Sequence, residues 1–335
     1  MNCPTYKLSN GYEMPAFGLG TFMSKPNEVH DIVYEAIKLG YRLIDTASAY
    51  RNEKEVGQAI KEAIADGLVK REELFITTKL FCEDFAPERL HRAFEQSRKD
   101  LQLDYIDLYL IHQPFERNIP AELEAQRDPN YYYSLPHNFE VPEKDRLGWN
   151  VERMTNTWRE LEKLVEKGEI RSLGISNFTV KKMKEFLPHC KIMPVNNQVE
   201  LHIQLQQWEL KQYCDDNHIV LTSFFPLGNG QWFENGPRGV APLKNPVIKE
   251  IADHYKKTPA QILLRWGVQR GTIVIPKTIH KERLIENMNI FDFSLTEEEM
   301  ATIKGLDERK RGATLTFLLP GKATLEDVWD GENCN

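Results

Sequence analysis

Several features are scarce or missing in this chain of 335 residues, and each absence argues against a class of protein. The five cysteines are odd in number and scattered, with no C-x-x-C pair, so neither a disulfide framework nor a zinc site is expected. No basic run offsets the net charge of −7, which argues against nucleic acid or an anionic membrane as a partner. No apolar stretch approaches the roughly 18 residues of a membrane span, and residues 1–5 lack a basic and then apolar signal. We therefore expect a cytoplasmic protein with reduced thiols, either a monomer or a weak dimer.

The sequence does contain a regular alternation of strand-like and helix-like segments. With 41% hydrophobic and 28% charged residues, the chain can bury a sizeable core. Amphipathic helical patterns cover residues 27–39, 53–65, 87–101 and 154–167. Between such patterns lie eight short apolar runs, at residues 17–20, 41–45, 74–79, 106–112, 170–176, 195–200, 219–224 and 272–276. The alternation predicts a parallel sheet, and Asn10-Gly11 predicts a hairpin over residues 7–14 that could plug one end of a barrel.

Two parallel architectures compete for this pattern. A doubly wound sheet would carry a Gly-rich turn after its first strand, but the segment 18–23 has Met23 where the last glycine should be. Eight strands without a composition break favour a single (β/α)8 barrel, with N-terminal hairpin and long loops, over residues 1–335. Three irregular segments could fold over the barrel mouth: a lid-like loop at 113–151, residues 227–246 and a tail at 312–335.

Four polar residues stand at or just beyond the ends of predicted strands: Asp45, Tyr50, Lys79 and His112. Barrel enzymes keep their chemistry at such positions. Tyrosine can give a proton to a carbonyl oxygen, but its pKa of about 10 calls for a cationic neighbour. Lys79 could stabilise the tyrosinate, Asp45 could orient Lys79, and His112 could position the carbonyl. Alternatively, the residues could form an ordinary ion pair and satisfied core groups.

Beyond these four residues, the chain resembles the aldo-keto reductases, aldose and xylose reductases included, through motifs that follow in family order. The motifs lie at residues 40–47, 50, 52–53, 55–57, 78–80, 104–112, 173–178, 197–200, 226–228 and 275–277. The resemblance implies a nicotinamide cofactor across the barrel mouth and reduction of an aldehyde or ketone, with Tyr50 as proton donor. It also implies that Asp45, Lys79 and His112 support that transfer.

The resemblance further assigns residues to the cofactor. Ser176, Asn177 and Gln198 would hold the carboxamide, and Phe224, where the family commonly has tyrosine, would stack on the nicotinamide. Lys277 and Arg283 would clamp the 2′-phosphate of NADPH, with NADH as a weaker alternative. The remaining positions implied to bind the cofactor are Thr21, Pro226, Leu227, Asn229, Thr278, Glu286 and Asn287. Of these, Leu227 and Asn229 would begin a strap over the pyrophosphate, at residues 227–246. A different interpretation makes the segment 281–286 a solvated helix face with i,i+4 pairs.

The substrate pocket is predicted at Phe22, Phe81 and Gln113, and it looks less aromatic and more polar than in aldose-reductase-like members. Gln113 could donate to sugar hydroxyls, or it could only cap a strand end. Tyr131, Tyr132 and Tyr133 could instead stack on a hydrophobic or steroid-like carbonyl. Two further alternatives stay open. One is a non-catalytic member of the same fold, which the intact tetrad argues against, and the other is a metal-dependent hydrolase, for which only His112 is suitably placed. No metal is expected.

Overall fold

The computed structural model describes residues 3–120, 141–228 and 240–332. The eight predicted barrel strands are all present, each within two residues of its predicted bounds. In chain order the strands are β1 (Thr5–Lys7), β2 (Glu13–Pro15), β3 (Leu19–Gly20), β4 (Leu43–Asp45), β5 (Phe75–Leu80), β6 (Ile106–Ile111), β7 (Glu116–Arg117), β8 (Arg146–Gly148), β9 (Ile170–Ser176), β10 (Asn196–Glu200), β11 (Val220–Phe224) and β12 (Ile273–Val274). Every residue of β5 and β6 is buried, as in parallel strands that are covered on both faces.

The eight main strands form one parallel sheet in the order β3-β4-β5-β6-β9-β10-β11-β12. Its two edges meet, since Phe17 bridges to Val274 and Gly20 to Lys277, both in parallel orientation. The amide of Gly18 also donates to the carbonyl of Val274 at 3.0 Å. The closed parallel sheet confirms the predicted (β/α)8 barrel.

The hairpin of β1 and β2 closes the N-terminal end of this barrel, as predicted. Tyr6 pairs with Met14 in antiparallel register, and the Tyr6 hydroxyl donates to the carbonyl of Val268 at 3.2 Å. Leu8 and Met14 are buried in the same apolar cluster as Leu43 of β4 and Leu108 of β6. The hairpin side chains therefore fill the barrel interior at its N-terminal end.

Helices cover the outside of the sheet. They are α1 (Pro26–Leu39), α2 (Glu53–Ala65), α3 (Pro87–Leu101), α4 (Val151–Glu166), α5 (Val180–Phe186), α6 (Trp208–Asp216), α7 (Pro246–Tyr255), α8 (Pro259–Gln269), α9 (Lys281–Met288), α10 (Glu297–Lys304) and α11 (Leu325–Trp329). Short 3-10 turns lie at Ser48–Tyr50, Arg71–Glu73, Glu143–Asp145, Leu187–His189, Pro242–Lys244 and Thr316–Leu318. Among the helices in the described ranges, none has the length and apolar character needed to cross a membrane.

Local sequence explains where these helices begin and how closely they pack. Thr258 and Gln261 cap the start of α8 reciprocally. Where α2 approaches α3, Gly57 is required, because a Cβ there would overlap the backbone of Asp100 and Leu101. The main core cluster lies between the helices and the sheet, around side chains as large as Trp158.

Two of the segments predicted to be irregular contain regular structure. β7 pairs with β8 in antiparallel orientation within the predicted 113–151 loop, whose Tyr131, Tyr132 and Tyr133 lie outside the described residues. The tail after residue 311 contains α11, because Thr324 caps this helix with Asp327. The loss of periodicity noted in the sequence is compatible with this helix, since one short capped helix gives almost no periodic signal.

Candidate active site

The four candidate catalytic residues lie at the carboxyl ends of neighbouring strands. Asp45 is the last residue of β4, Lys79 lies next to last in β5, and His112 follows β6 directly. Tyr50 ends the 3-10 turn Ser48–Tyr50, which β4 leads into. Because these strands are parallel neighbours in the sheet, their polar ends meet at one edge.

Asp45 and Lys79 form a buried ion pair. The Lys79 Nζ donates to Asp45 Oδ1 at 2.6 Å and to the carbonyl of Thr46 at 2.6 Å. The Lys79 side chain is 0% exposed and the Asp45 side chain is 4% exposed. Burial raises the pKa of Asp45 and lowers the pKa of Lys79, while the attraction between the two charges opposes both shifts. The other carboxylate oxygen, Asp45 Oδ2, accepts from Gln198 Nε2 at 2.6 Å. Asp45 is therefore fixed by two donors.

The Tyr50 hydroxyl lies at the open side of this pair, with the Lys79 Nζ donating to it at 3.4 Å. Burial, reinforced by the negative charge of Asp45, raises the pKa of Tyr50 well above its ordinary value. In this state the raising effects of burial and of the Asp45 charge prevail, and support of a tyrosinate by Lys79 during proton transfer stays a prediction. Tyr50 therefore keeps its proton and can act as a donor.

His112 faces the same site. Its ring packs edge-on against Tyr50 and Phe81, with centroids 5.7 Å and 5.6 Å away. Burial, followed by the charge of Lys79, lowers the pKa of His112 well below its ordinary value. The imidazole is therefore neutral near neutral pH, and its Nδ1 has no hydrogen-bond partner among the described residues.

Ser176, Asn177 and Gln198 form a buried polar cluster on the neighbouring strands β9 and β10. The Asn177 amide donates to the carbonyl of His112 and to Ser176 Oγ, both at 3.0 Å, and Ser176 Oγ donates to the carbonyl of Gln198 at 2.7 Å. Asn177 Oδ1 is buried and has no hydrogen-bond partner in the part of the chain that the structure describes. The cluster thus retains an acceptor for a ligand amide.

Two adjoining spaces open on these residues. The first, here called the inner cavity, has a volume of about 520 Å³ and is lined by Tyr50, His112, Gln113 and the polar cluster. The second, here called the outer groove, has a volume of about 570 Å³ and runs from Tyr50 to Lys277 and Arg283. Both spaces include Tyr50, Gln198 and Phe224, so the Tyr50 hydroxyl lies at their junction.

Pro226, Leu227, Lys277, Thr278 and Arg283 all line the outer groove, as their predicted role requires. Neither Lys277 nor Arg283 has a carboxylate within ion-pair distance in the described ranges. Burial lowers the pKa of Lys277. Two exposed cations thus face the far end of the groove.

The other residues predicted for the cofactor lie elsewhere. On α9, Asn287 is buried and Glu286 accepts from Thr258 Oγ1 at 2.6 Å, and neither lines the groove. Thr21 is buried and its hydroxyl donates to the carbonyl of Asp45 at 3.1 Å, which ties the end of β3 to β4. Asn229 lies outside the described residues.

The inner cavity has aromatic lining residues beyond those named from the sequence. Phe22, Phe81 and Gln113 line it as predicted, and among the described residues five phenylalanines line it: Phe22, Phe81, Phe224, Phe225 and Phe317. Whether the pocket is more polar than in aldose-reductase-like members stays a prediction, which considered only positions in recognisable motifs. Phe225 has a left-handed backbone (φ 52°), and the wall residues 312–317 come from a segment without periodicity. Only the position of Phe225 beside Phe224 could have indicated its role.

Sequence reasoning also missed Glu53 on α2, a fully buried carboxyl behind Lys79. Its oxygens accept from Thr78 Oγ1 at 2.5 Å and from Ser97 Oγ at 2.9 Å. Burial raises the pKa of Glu53 to about 7, although both hydroxyls oppose the shift. Among the described residues, there is no group of three or more side chains that could hold a metal ion.

A closed (β/α)8 barrel with a Tyr, Lys, Asp and His set at the carboxyl ends of its strands defines a barrel enzyme with its site at the C-terminal face. The chain belongs to the aldo/keto reductase family, whose profile matches residues 16–308. It is therefore an NAD(P)H-dependent oxidoreductase that reduces the carbonyl group of an aldehyde or ketone.

Individual relatives agree with this assignment over nearly the whole chain. The chain is 41% identical to an NADPH-dependent D-xylose reductase of Meyerozyma guilliermondii, over 90% of this chain and 93% of that protein. It is 42% identical to a glyoxal reductase of Bacillus subtilis, over 92% and 94%. The solved structure of the aldose reductase from Schistosoma japonicum superposes with a TM-score of 0.81 at 37% identity, covering 94% of this chain and 96% of that one.

Proposed function

We propose that this reductase uses NADPH and that Tyr50 delivers the proton to the oxygen of a small carbonyl substrate, an aldose or a similar aldehyde. The observation that carries the proposal is the Tyr50 hydroxyl, 3.4 Å from the Lys79 Nζ at the junction of the inner cavity and the outer groove. A substrate in the inner cavity and a cofactor in the outer groove would both reach this hydroxyl.

The residues present fit a nicotinamide cofactor. The unpartnered Asn177 Oδ1 offers an acceptor for the carboxamide, with Ser176 and Gln198 beside it. The Phe224 ring lines both spaces and offers a face for stacking. When bound, NADPH supplies the hydride. Pro226 and Leu227 would contact NADPH along the groove. The family resemblance implies Thr21, Asn229, Glu286 and Asn287 as further contacts, and we propose them as such.

The proposed roles in proton transfer follow from charge and burial. Tyr50 is protonated, because the pKa of its buried hydroxyl is raised, and it donates its proton to the carbonyl oxygen as negative charge develops there. Lys79 then donates a hydrogen bond to the phenolate oxygen, and Asp45 keeps Lys79 in place. His112 is neutral and positions the carbonyl, because its lowered pKa leaves no extra proton to donate near neutral pH.

The preference for NADPH rests on Lys277 and Arg283. Both line the groove without a carboxylate partner in the described ranges, and guanidinium geometry suits phosphate oxygens. The alternative of a solvated helix face with internal pairs fits less well, because Lys281 pairs with Glu35 at 2.6 Å and leaves Arg283 for a ligand. The relative from Meyerozyma guilliermondii is itself named for NADPH.

Two observations bear on the substrate. Gln113 is buried beside His112, and its Oε1 has no partner among the described residues, so it can accept a hydrogen bond from a sugar hydroxyl. The five phenylalanines of the inner cavity favour a second candidate, an aromatic or otherwise apolar carbonyl.

A turnover assay tests the proposal. The rate of NADPH oxidation would be measured with xylose, glyceraldehyde, an aromatic aldehyde and a steroid ketone, and then with NADH in place of NADPH. We expect turnover of aldehydes with NADPH, and its loss in Tyr50→Phe. Tyr34→Phe is the matched control, because Tyr34 lies on α1 and its hydroxyl bonds only to Asp66 among the described residues. Absence of turnover in the wild type with every carbonyl would contradict the proposal.

We further infer a cytoplasmic monomer or weak dimer and a single domain over residues 1–335. Support for the compartment comes from four free cysteines among the described residues, Cys3, Cys82, Cys190 and Cys214, since reduced thiols persist in the cytosol. Cell fractionation, gel filtration and limited proteolysis test the three statements in turn.

A further inference from the structure

One wall of the inner cavity comes from the segment after the last long helix of the barrel. Gly312, Ala313, Thr314, Leu315 and Phe317 all line the cavity opposite the strand ends. Apart from the 3-10 turn Thr316–Leu318, residues 312–317 belong to no helix or strand. An irregular segment of this kind keeps one conformation only if hydrogen bonds or packing from other elements hold it. Each such contact is here called a fastening of the wall.

Glu200 provides the first fastening. It is the last residue of β10, only 1% exposed, and it does not line the cavity. Its Oε1 accepts from the amide of Gly312 at 2.8 Å, and its Oε2 accepts from the amide of Ala313 at 2.7 Å. One rigid strand end thus holds two consecutive amides of the wall through charge-assisted hydrogen bonds.

The surroundings of Glu200 keep it ionised and in place. His202 Nδ1 accepts from the amide of Gln204 at 3.3 Å, which leaves His202 Nε2 to donate to Glu200 Oε1 at 3.1 Å. Burial alone would raise the pKa of Glu200, but the hydrogen bond from His202 and the charge of Arg311 hold the pKa below its ordinary value.

Trp329 of α11 provides a second fastening from the other side. The Trp329 indole donates to the carbonyl of Thr314 at 3.3 Å, and the Arg311 guanidinium stacks on its ring at 3.7 Å. The end of α11 is itself anchored, because the buried Lys182 donates to the carbonyl of Val328 at 2.9 Å and pairs with Asp330. The wall is therefore held between a strand end and a docked helix.

We propose that Glu200 is a positioning residue for substrate recognition, which sets KM by fixing the backbone of Gly312 and Ala313 against the inner cavity. The inference rests on the proposed function, since it takes the inner cavity as the substrate site. A carbonyl compound long enough to touch residues 312–317 depends on this wall, whereas a two-carbon aldehyde at the Tyr50 hydroxyl does not.

Glu200→Gln tests the proposal, with Glu162→Gln as a matched control. Glu162 is equally buried and also accepts from two consecutive amides, those of Lys191 and Ile192 at 2.7 and 2.8 Å, but these lie away from the cavity. In Glu200→Gln, KM for an aromatic or five-carbon aldehyde should rise about tenfold or more, because hydrogen bonds to a charged group are lost. For acetaldehyde kcat and KM should stay within about twofold, and the Kd of NADPH should not change.

The proposal fails if KM for the long aldehydes is unchanged, if acetaldehyde is affected equally, or if Glu162→Gln gives the same rise. Hydrogen exchange of the Gly312 and Ala313 amides gives a readout that needs no turnover. Exchange should accelerate about tenfold or more in Glu200→Gln and not in Glu162→Gln, and unchanged exchange would overturn the proposal. Absence of turnover in the wild type would contradict the proposed function, but the hydrogen-exchange comparison would still test the role of Glu200.

If Glu200→Gln does not fold, Trp329→Phe decides the question. It keeps an aromatic face for Arg311 and removes only the indole donor to the Thr314 carbonyl. We expect a smaller rise in KM for the same long aldehydes with kcat retained. An unchanged KM in this folded variant would overturn the account of a fastened wall.

Discussion

Replacing the buried Glu53 by glutamine should stabilise the enzyme, and increasingly so as the pH rises. The carboxyl is 4% exposed behind Lys79, and burial raises its pKa from 4.5 to about 7. A raised carboxyl pKa means that the folded state binds a proton more tightly than the unfolded state does. Ionisation of Glu53 therefore opposes folding, with no cost below pH 4.5 and the full cost above pH 7.

The magnitude follows from that shift. One pKa unit corresponds to about 1.4 kcal/mol, so the full cost is roughly 3 kcal/mol. Between about pH 5 and pH 8 the stability gained by Glu53→Gln should grow by about 2.5 kcal/mol. Glutamine can keep the partners Thr78 and Ser97, since their hydroxyls can donate or accept.

Urea unfolding at these two pH values, followed by far-UV circular dichroism, measures the effect. Glu250→Gln is the control, because Glu250 lies exposed in the middle of α7. A gain from Glu53→Gln that is the same at both pH values, or that shrinks as the pH rises, would refute the reasoning about Glu53.

Two further predictions concern the cofactor and the packing. In Arg283→Ala the KM for NADPH should rise about tenfold or more, and the KM for NADH should change little. Lys281→Ala is the control: it loses the pair with Glu35 and should leave both KM values unchanged. An equal effect of Arg283→Ala on both cofactors would contradict the proposed preference for NADPH. Gly57→Ala should lower the free energy of unfolding by about 1–3 kcal/mol, because its Cβ would overlap the backbone of α3, and Gly305→Ala should cost much less. Thermal unfolding of both variants checks this, and equal melting temperatures would contradict it.

The barrel could be predicted because its strands are short apolar runs that end in polar residues. Parallel strands covered on both faces are mainly apolar, as Ile106–Ile111 is, where the one charged residue, Asp107, is paired with Arg71 and Arg171. The convergence of Asp45, Lys79 and His112 followed from that rule alone.

Other features could not be derived from local patterns. Glu53 stands among the acidic residues of the first turn of α2, where a carboxylate ordinarily faces solvent, but it is buried between α2, α3 and β5, where it contacts Ser97 and Thr78. The cavity wall at residues 312–317 has no periodicity, and its fastening to Glu200 joins residues more than a hundred positions apart. The raised pKa of Tyr50 depends on burial and on the negative charge of Asp45 beside it, which residue order does not reveal.

The measurement that tests the central claim most directly is a comparison of kcat in Tyr50→Phe and His112→Gln with the same aldehyde and saturating NADPH. If Tyr50 gives the proton, Tyr50→Phe should lower kcat by about 10² to 10⁴ while NADPH still binds. His112→Gln should mainly raise KM, because a neutral His112 positions the carbonyl and does not protonate it. Substantial turnover in Tyr50→Phe, with kcat lost in His112→Gln, would contradict the account.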